Sequence, residues 1–329
     1  MAAAPPTRAV VQYSRHGDSS VLQYIPDAPV PPLKKGQVLV ANKAAAVNPV
    51  DYKLRQGFGA LLDRLAGPKL PAIPGGDVAG VVESAPEGSA FKPGDRVFAL
   101  LSLDTNFGGY ASKVPVPERA LALIPEGLSF EQAACLPLAG LTAWQALEAA
   151  RVKAGDRVLV HAGAGGVGSL AVPLAKARGA WVAATCSGKN VEFVKELGAD
   201  EVVDYTTEAF DQRYKEQPFD AVLDTIVLQG YEQRSLAVTK RSGTYVNFVP
   251  APVVGSILKG LVKTALGLGP RYRPIFVLPN GKQLAELGRL AAEGKVRPII
   301  ARTYPLAQAA ETQDEIAKGR TRGKIVLTI

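Results

Sequence analysis

The sequence predicts an α/β protein of two domains, one rich in β-strands and one built on a doubly wound parallel sheet. Three observations lead to this fold class. The chain has 329 residues, more than a single core comfortably holds. Short apolar runs punctuated by glycine and proline fill its first third. Strands alternate with helices after about residue 125.

Residues 8 to about 125 are predicted to form short strands. Apolar runs at 37–41, 77–82 and 95–100 are separated by turn sequences, of which Lys92-Pro93-Gly94-Asp95 is an example. No stretch of this part shows a long helical period, so we expect no long helix within it.

Strands and helices are predicted to alternate from about residue 126 onward. Ser129 is a suitable N-cap with Gln132 three residues later, which is the spacing of a capping box. Alternation of this kind is typical of a parallel sheet covered by helices on both faces. The predicted strands are 156–161, 181–185, 201–204, 221–224 and 243–248, and the predicted helices are 168–178 and 191–197.

The segment 250–274 interrupts this alternation. Its apolar residues recur at helical spacing between 253 and 266, with Lys259 and Lys263 among them. Four interpretations are open: a helix that covers a substrate cleft, an oligomer contact, a membrane-surface helix, and a helix that packs on the core with solvated lysines.

The composition is that of an ordinary globular protein with a basic charge. Apolar residues make up 47% and charged residues 21%, and no apolar run reaches the roughly 18 residues of a transmembrane helix. The net charge is +8, but the basic residues look dispersed and accompany no nucleic-acid-binding motif. Two cysteines do not support a disulfide framework, and a strand begins too early for an ordinary transit peptide.

The sequence Gly163-Ala164-Gly165-Gly166-Val167-Gly168 is the strongest functional signal in the chain. A strand precedes it and an apolar helix follows, which is the context that a dinucleotide-binding loop requires. In such a loop Gly163 permits the tight turn, Gly165 lets the backbone approach a pyrophosphate, and Gly168 lets the helix pack on the strand. The N–H groups at the helix start then face the phosphates.

The end of the next strand bears on which dinucleotide binds. An NAD site has Asp or Glu there to hold the ribose 2′-hydroxyl. This chain instead has Ser187 and Lys189, with no acid before Glu192. A hydroxyl and an ammonium suit a 2′-phosphate, which favours NADPH over NADH. The alternative is that Ser187 caps the next helix and Lys189 is solvated.

A set of short motifs in a fixed order carries a family resemblance. The motifs are Asn48-Pro49-Val50-Asp51-Tyr52-Lys53, Ile73-Pro74-Gly75-Gly76-Asp77-Val78-Ala79-Gly80, Lys92-Pro93-Gly94-Asp95-Arg96-Val97, Leu136-Pro137-Leu138-Ala139-Gly140-Leu141-Thr142-Ala143, the glycine loop, Leu197-Gly198-Ala199-Asp200, Asp204-Tyr205 and Arg322-Gly323-Lys324-Ile325-Val326. With them the chain resembles medium-chain dehydrogenase/reductases, specifically the zinc-free quinone oxidoreductase branch. Within that branch it is similar to plant enone (alkenal/one) oxidoreductases and to the chloroplast-envelope quinone oxidoreductase homologue.

The resemblance covers nearly the whole chain and implies two named domains. A GroES-like catalytic domain is expected at 1–125, completed by 298–329. A Rossmann NADPH-binding domain is expected at 126–297. The segment around 253–272 is longer than in enone reductases and closer to the envelope protein, and Gly188 replaces a bulkier residue of the family.

The resemblance also bears on metal binding. Zinc-bearing members use Cys and His ligands, but Gly76-Asp77 stands where they have His-Glu, and no Cys lies near Asn48. Two cysteines and two histidines cannot assemble a four-ligand structural site or a typical catalytic site. We therefore expect no metal. Cys135 and Cys186 are expected to be small buried residues, and His161 a structural one.

Two groups of residues are implied to bind the adenosine and pyrophosphate parts of the cofactor. The glycine loop would contact the pyrophosphate, and the turn after the next strand would surround the 2′-phosphate with an aromatic side chain near the adenine. These residues are Gly163, Gly165, Gly166, Val167, Gly168, Ser187, Gly188, Lys189, Asn190 and Tyr205. Tyr205 has an alternative interpretation as ordinary aromatic packing at a sheet edge.

The nicotinamide part of the cofactor is implied to meet residues from several segments. Lys53 would sit near the nicotinamide end, and Phe248 with Phe276-Val277-Leu278 would line the ring. Gly319 and Arg320 would return to the cleft from the C-terminal part. The phenylalanines are alternatively core residues, and Arg320 is alternatively one of several solvated charges.

The expected reaction is reduction of the C=C bond of an α,β-unsaturated carbonyl by NADPH. Catalytic candidates are Lys53, which would stabilise the enolate oxygen together with backbone N–H groups, and Tyr52, which would protonate the α-carbon in place of water. Two alternatives remain: reduction of a quinone by the same route, and a non-catalytic protein that binds NADPH or RNA.

The expected partners are a small enone or quinone substrate and no nucleic acid. We expect a monomer or a homodimer, and a peripheral membrane contact through 253–268 is one of the open interpretations. The expected location is the cytoplasm or the chloroplast, in its stroma or at its envelope.

Overall fold

The computed structural model describes residues 6–57, 69–102, 107–226, 230–248 and 254–329, with the side chains of 254–257 excepted. Contacts divide the chain into two units. The first consists of Met1–Leu141, Leu278–Gly294 and Pro298–Ile329, and the second of Thr142–Val277 and Lys295–Arg297. Residues 126–141 and 278–294 thus belong with the first unit, although the sequence placed them in the second domain.

The strands of the described residues are numbered in chain order. They are β1 (Thr7–Gln12), β2 (Gln23–Pro29), β3 (Gln37–Val47), β4 (Asp77–Ser84), β5 (Arg96–Leu100), β6 (Lys113–Pro117), β7 (Leu121–Leu123), β8 (Arg157–Val160), β9 (Trp181–Cys186), β10 (Glu201–Asp204), β11 (Phe219–Asp224), β12 (Thr239–Phe248), β13 (Arg271–Ile275), β14 (Ile300–Pro305) and β15 (Lys324–Thr328).

The α-helices of the same residues are numbered likewise. They are α1 (Pro49–Arg55), α2 (Phe130–Ala134), α3 (Pro137–Ala149), α4 (Gly168–Ala177), α5 (Val191–Glu196), α6 (Phe210–Arg213), α7 (Tyr231–Ala237), α8 (Val254–Ala265), α9 (Gly281–Ala292) and α10 (Ala309–Ala317).

The first unit is a mostly antiparallel β-structure, as the sequence predicts. Its main sheet has the order β14-β15-β3-β4-β5-β7, with β6 also paired to β3, and β1 and β2 form a separate antiparallel pair. Alternate valines such as Val38, Val40 and Val78 point into its core. Helix α9 joins this unit closely, because a Cβ at Gly281 would lie 2.2 Å from the Leu121 carbonyl oxygen.

The second unit contains a parallel sheet, and the predicted fold class is confirmed. Its strand order is β10-β9-β8-β11-β12-β13, and every neighbouring pair is parallel. Successive strands run outward from β8 in one direction and from β11 in the other. The strand order therefore reverses between β8 and β11, and in such sheets ligands bind at the carboxyl ends beside the reversal.

The segment that the sequence treats as an interruption holds a helix and a further strand. Helix α8 is followed by β13, which continues the sheet beyond β12. Pro274 within β13 hid the strand from sequence reasoning, since proline is tolerated only where a ladder hydrogen bond is not needed, as at a sheet edge. No helix of the described residues is long and apolar enough to cross a membrane.

Candidate cofactor and substrate site

The glycine loop connects β8 to α4 at the point where the strand order reverses. The loop is built by close packing rather than by glycine flexibility alone. A Cβ at Gly168 would lie 2.2 Å from the Ala162 carbonyl oxygen, and one at Gly163 would lie 3.0 Å from Ala184 and Val194 atoms. The close approach at Gly168 is to the loop backbone at Ala162 and Gly163, and the predicted packing of the helix on the strand stays a prediction.

The predicted tight turn includes Gly163, because the Gly165 N–H donates to the Ala162 carbonyl at 2.9 Å across Gly163 and Ala164. The residue with a positive φ, however, is Ala162, at 50°. Gly163 is also needed because the loop passes close to β9. A Cβ at Gly165 would meet only Ala162, at 3.3 Å or more, so the outer side of the loop is open at that position.

Two backbone donors at the start of α4 remain available. Ser169 donates its N–H to the Gly165 carbonyl, and Ala171 donates to Val167. The N–H groups of Gly166 and Val167 donate to no acceptor within the described ranges. Unpaired N–H groups at a helix start, above an open glycine, fit the pyrophosphate of a dinucleotide.

A buried polar group, which we call the His161 cluster, holds the loop from below. It consists of His161, Thr185 and Ser235. The imidazole lies 3.2 Å from the Thr185 hydroxyl through Nδ1 and 2.9 Å from the Ser235 hydroxyl through Nε2. Thr185 also accepts the N–H of Ala162 at 3.2 Å. The cluster therefore fixes the strained residue that begins the loop.

The His161 ring makes edge contacts with two aromatic rings. The Phe210 centroid is 4.6 Å away and the Tyr231 centroid 5.2 Å away. Burial lowers the pKa of His161 to about 4, so the imidazole is neutral near neutral pH. A neutral, fully enclosed ring agrees with the structural role that the sequence suggests.

The residues predicted to bind the adenosine 2′-phosphate lie together in the turn after β9. Lys189 and Gly188 are exposed, and Asn190 donates to the Ser187 hydroxyl at 3.2 Å. Tyr205 follows β10 and is 49% exposed, and its N–H donates to the Cys186 carbonyl beside this turn. These residues therefore occupy neighbouring carboxyl ends of the same sheet.

Sequence reasoning missed an acidic residue at this turn. The Asp204 carboxylate ends β10, and a Cβ at Gly188 would lie 2.6 Å from its Oδ2. Bonds from Thr206 and from the Gly188 N–H lower the pKa of Asp204, so the carboxylate is ionised. A side chain at position 188 would displace the end of this carboxylate. This acid lies at the end of β10, the third strand of the unit. The sequence analysis looked for an acid only at the end of the second strand, β9.

The aromatic residues predicted to line the nicotinamide lie at the ends of strands β12 and β13. Phe248 ends β12 and is partly buried. Phe276 is 69% exposed and Leu278 is 65% exposed, with Val277 partly buried between them. Phe276 and Leu278 are therefore not core residues in the described structure, which removes the alternative interpretation for this run.

The predicted catalytic residues Tyr52 and Lys53 lie on α1 in the first unit. Both side chains are half-buried. Burial raises the pKa of Tyr52 and lowers the pKa of Lys53. The buried side of the helix carries Asp51 and Arg55, and the Asp51 carboxylate accepts the Asn48 N–H at 2.8 Å.

A second buried polar group, which we call the Asp77 cluster, lies under α1. It consists of Asn48, Asp51, Asp77 and Lys324, each at most 4% exposed. Asn48 donates to the Asp77 Oδ2 at 2.8 Å and accepts a hydrogen bond from the Lys324 ammonium. The ammonium lies 3.6 Å from Asp77. Sequence reasoning did not assign Lys324 or Asp77 to any site.

The Asp77 cluster connects the helix that bears Lys53 to two other elements. Asp77 accepts the Leu138 N–H at the start of α3, at 2.6 Å. Tyr110 donates to the Asp51 Oδ2 at 3.0 Å. Burial raises the pKa of Asp77, and Lys324 opposes this shift. Burial also raises the pKa of Asp51, to about 7.

The C-terminal residues predicted to reach the cofactor lie in the first unit, after α10. Gly319 has a φ of 67° and Arg320 is exposed. The predicted residues are thus divided. Tyr52, Lys53, Leu278, Gly319 and Arg320 belong to the first unit, and the remaining predicted site residues belong to the second.

Metal-ligating residues do not converge in the described part of the chain. No three His, Cys, Asp or Glu side chains there form a metal-binding arrangement. Cys135 and Cys186 are both buried, and burial raises the pKa of these thiols to about 12 and about 11. At the position where zinc-bearing relatives have glutamate, Asp77 pairs with a lysine. The zinc-free assignment stays a prediction.

Comparison with known families supports the domain types. A family model described as an alcohol dehydrogenase GroES-like domain matches residues 34–126. A model described as a zinc-binding dehydrogenase matches residues 197–327.

Curated relatives resemble the chain over almost its whole length. The 2-methylene-furan-3-one reductase of Solanum lycopersicum is 37% identical, over 96% of this chain and 77% of that protein. From Arabidopsis thaliana, the NADPH-dependent alkenal/one oxidoreductase is 37% identical, over 96% of this chain and 78% of its own. The chloroplast envelope quinone oxidoreductase homolog of the same plant is 34% identical, over 96% and 97%.

A solved structure shares the fold. The quinone oxidoreductase from Coxiella burnetii superposes with a TM-score of 0.88 and is 35% identical, covering 98% of this chain and 99% of that chain.

Proposed function

The chain belongs to the medium-chain dehydrogenase/reductase family, and on that basis we propose that it is an NADPH-dependent reductase of the C=C bond in α,β-unsaturated carbonyl compounds. That it is an oxidoreductase with a Rossmann-type, NAD(P)H-binding domain follows from the family. The observation that carries the dinucleotide part of the proposal is the pair of available N–H groups at Gly166 and Val167, above the open Gly165. Relatives that reduce a methylene-furanone and alkenals indicate the substrate class.

The preference for NADPH rests on the turn after β9. Lys189 is exposed there, and a cation attracts a 2′-phosphate. The Asp204 carboxylate opposes this preference, but its Oδ1 already accepts bonds from the Thr206 hydroxyl at 2.7 Å and the Thr206 N–H at 3.0 Å. We expect Lys189→Gln to raise the KM for NADPH about tenfold while the KM for NADH stays unchanged. Equal changes for both cofactors would contradict the assignment.

The residues proposed to act on the substrate, Lys53 and Tyr52, belong to α1. When bound, NADPH supplies a hydride to the β-carbon, and negative charge then develops on the carbonyl oxygen. The Lys53 ammonium is half-buried, so it interacts more strongly with such an oxygen than a solvated lysine does. Tyr52, whose pKa burial raises, keeps its proton and is available as the donor to the α-carbon.

Substitution of Lys53 tests this assignment. Loss of one donor to a developing oxyanion typically costs about 10²–10³ in kcat. We expect that loss for Lys53→Met, with the NADPH dissociation constant changed much less, and no loss for the exposed control Lys35→Met. An unchanged kcat in Lys53→Met would remove Lys53 from the reaction.

A screen of NADPH oxidation tests the substrate class. We expect short enals, longer enones or furanones to be turned over with a higher kcat/KM than quinones, and activity to survive a metal chelator. Loss of activity with the chelator would contradict the zinc-free mechanism. Tight NADPH binding without turnover of any of these compounds would contradict the enzyme and favour the non-catalytic alternative.

Quinone reduction is the second candidate function. It is favoured by the names of the Coxiella burnetii structure and of the chloroplast envelope homolog. A quinone that exceeds every enone in kcat/KM would establish it in place of the first.

A further inference from the structure

The excess positive charge of the chain is concentrated in one segment. Residues 233–285 contain eight Lys and Arg residues and no Asp or Glu, and eight is the net charge of the whole chain. The remainder therefore has as many acidic as basic residues. The basic residues looked dispersed only because the acidic ones are distributed unevenly. This segment contains α8 and β13.

Helix α8 presents its large apolar side chains to solvent. Leu258 is 62% exposed, Val262 49% and Leu261 38%, and Leu266 directly after the helix is 65% exposed. These residues recur at intervals of three and four, so they lie along one face. Leu268, which follows, is 60% exposed. We call this set the α8 apolar face.

Among the described side chains of α8, the residues that contact the sheet are the small Gly260 and Thr264. A Cβ at Gly260 would lie 2.4 Å from the Tyr272 ring. The Thr264 hydroxyl accepts the Tyr272 N–H at 2.8 Å. An ordinary surface helix buries its leucines and exposes its polar residues. In α8 the small residues pack inward, so the leucines need an apolar environment from outside the chain.

Basic residues border this face. Lys259 and Lys263 are exposed on α8 itself. Beyond its C-terminal end, a recess of about 620 Å³ is lined by Lys240, Arg241 and Arg271, with small residues between them. Arg241 and Arg271 donate to backbone carbonyls of this region, and neither forms an ion pair with the described residues.

We propose that the α8 apolar face and its basic border dock on the surface of a bilayer that contains anionic phospholipid. The leucines and Val262 would enter the boundary between headgroups and acyl chains, as the apolar face of an interfacial helix does. Lys259 and Lys263, with the arginines of the recess, would contact the lipid phosphates.

Charge favours this occupant over a second copy of the chain. A symmetric contact places the same patch on both sides of the interface. Two copies of α8 bordered by Lys259, Lys263, Arg241 and Arg271 would then face each other, in a segment that contains no acidic residue. Like charges in contact oppose association. An anionic membrane supplies the opposite charge together with the apolar phase.

Vesicle sedimentation tests the proposal with the full chain. Vesicles would consist of phosphatidylcholine alone, or of phosphatidylcholine with roughly one-third phosphatidylglycerol. We expect binding only to the anionic vesicles, weakened by salt. Lys259→Gln with Lys263→Gln should lower the partition coefficient about 30-fold, at roughly fivefold per charge. Leu258→Asn with Val262→Asn should lower it by about 10²-fold.

Matched controls lie in the first unit. Lys34→Gln with Lys35→Gln makes the same change in net charge, and Leu123→Asn replaces a leucine that is 56% exposed. Both controls should bind the anionic vesicles as the unaltered chain does. Binding that is absent, equal on neutral vesicles, or lost equally in the controls would overturn the proposal. So would a dimer that Leu258→Asn dissociates while no vesicle binding is seen.

Discussion

The two buried polar groups differ in kind, although each holds a loop or helix of the candidate site. In the His161 cluster both ring nitrogens have partners and no member is charged near neutral pH. In the Asp77 cluster the one ammonium pairs with Asp77, and the Asp51 Oδ1 has no hydrogen-bond partner among the described residues. A neutral cluster whose groups are all hydrogen-bonded fixes the local geometry without the desolvation cost of a buried charge. A charged one makes the stability of its unit depend on charge balance.

The two clusters also respond to pH in opposite directions. His161 has a pKa of about 4 in the folded chain, below its ordinary 6.5, so protonation on acidification favours unfolding. Asp51 has a pKa of about 7, above its ordinary 3.8, so it keeps its proton in the folded state, and ionisation at higher pH favours unfolding. Between about pH 4 and pH 6.5 acidification destabilises the second unit and stabilises the first through these groups.

The largest effect is expected for Lys324→Met. Removing the only ammonium of the Asp77 cluster leaves a buried carboxylate without its ion-pair partner, which typically costs about 3–5 kcal/mol. Urea unfolding of the first unit, followed by hydrogen exchange, measures the change. The exposed control Lys43→Met should cost less than about 0.5 kcal/mol. If Lys324→Met and Lys43→Met lowered the stability equally, the buried ion pair would contribute no more than an exposed lysine does.

Asp51→Asn tests the raised pKa of that carboxyl group. Asparagine stays neutral, whereas Asp51 becomes increasingly unfavourable as the pH rises from about 4 to about 7. Relative to the unaltered chain, the variant should therefore gain about 4 kcal/mol of first-unit stability over this interval. Asp27→Asn, at an exposed site, should show no such gain. A pH-independent difference for Asp51→Asn would contradict the raised pKa.

His161→Gln should show the opposite sign in the second unit. The unaltered chain loses the stability contribution of neutral His161 as the pH falls from 6.5 towards about 4, and glutamine does not titrate. The variant should gain on the order of 3 kcal/mol relative to it over that interval. Hydrogen exchange of β8 and β9 amides measures this, with the exposed His16→Gln as control. If His161→Gln instead gained relative stability as the pH rises, the lowered pKa of His161 would be contradicted.

The smallest effect is expected for Thr185→Val. It removes the hydroxyl that binds both His161 and the Ala162 N–H while keeping the side-chain shape. We expect a loss of about 1–3 kcal/mol and weaker NADPH binding, because the start of the glycine loop is less fixed. Thr185→Ser keeps the hydroxyl and should bind NADPH nearly as before. If valine and serine behave alike, the hydroxyl does not hold the loop.

Structural features that depend on residues close together in the chain could be predicted from the sequence. Each strand and helix predicted after residue 126 is present, and the glycine loop lies where its motif indicates. Helix α1 escaped notice because two turns are too short to show a period. The Asp77 cluster could not be found either, since its members at 48, 51, 77 and 324 meet only through the pairing of β3 with β4 and β15. Asp204 was missed because its neighbour in space is 16 residues away.

The position of β15 has a consequence for synthesis on the ribosome. This strand lies between β14 and β3, so the sheet that begins with residues 37–47 is finished only when residues 324–328 have been made. The parallel sheet, by contrast, is complete once residue 275 emerges. The nascent chain can therefore fold its middle first. The strand at residues 37–47 must wait for its β15 partner until residue 328 has been made.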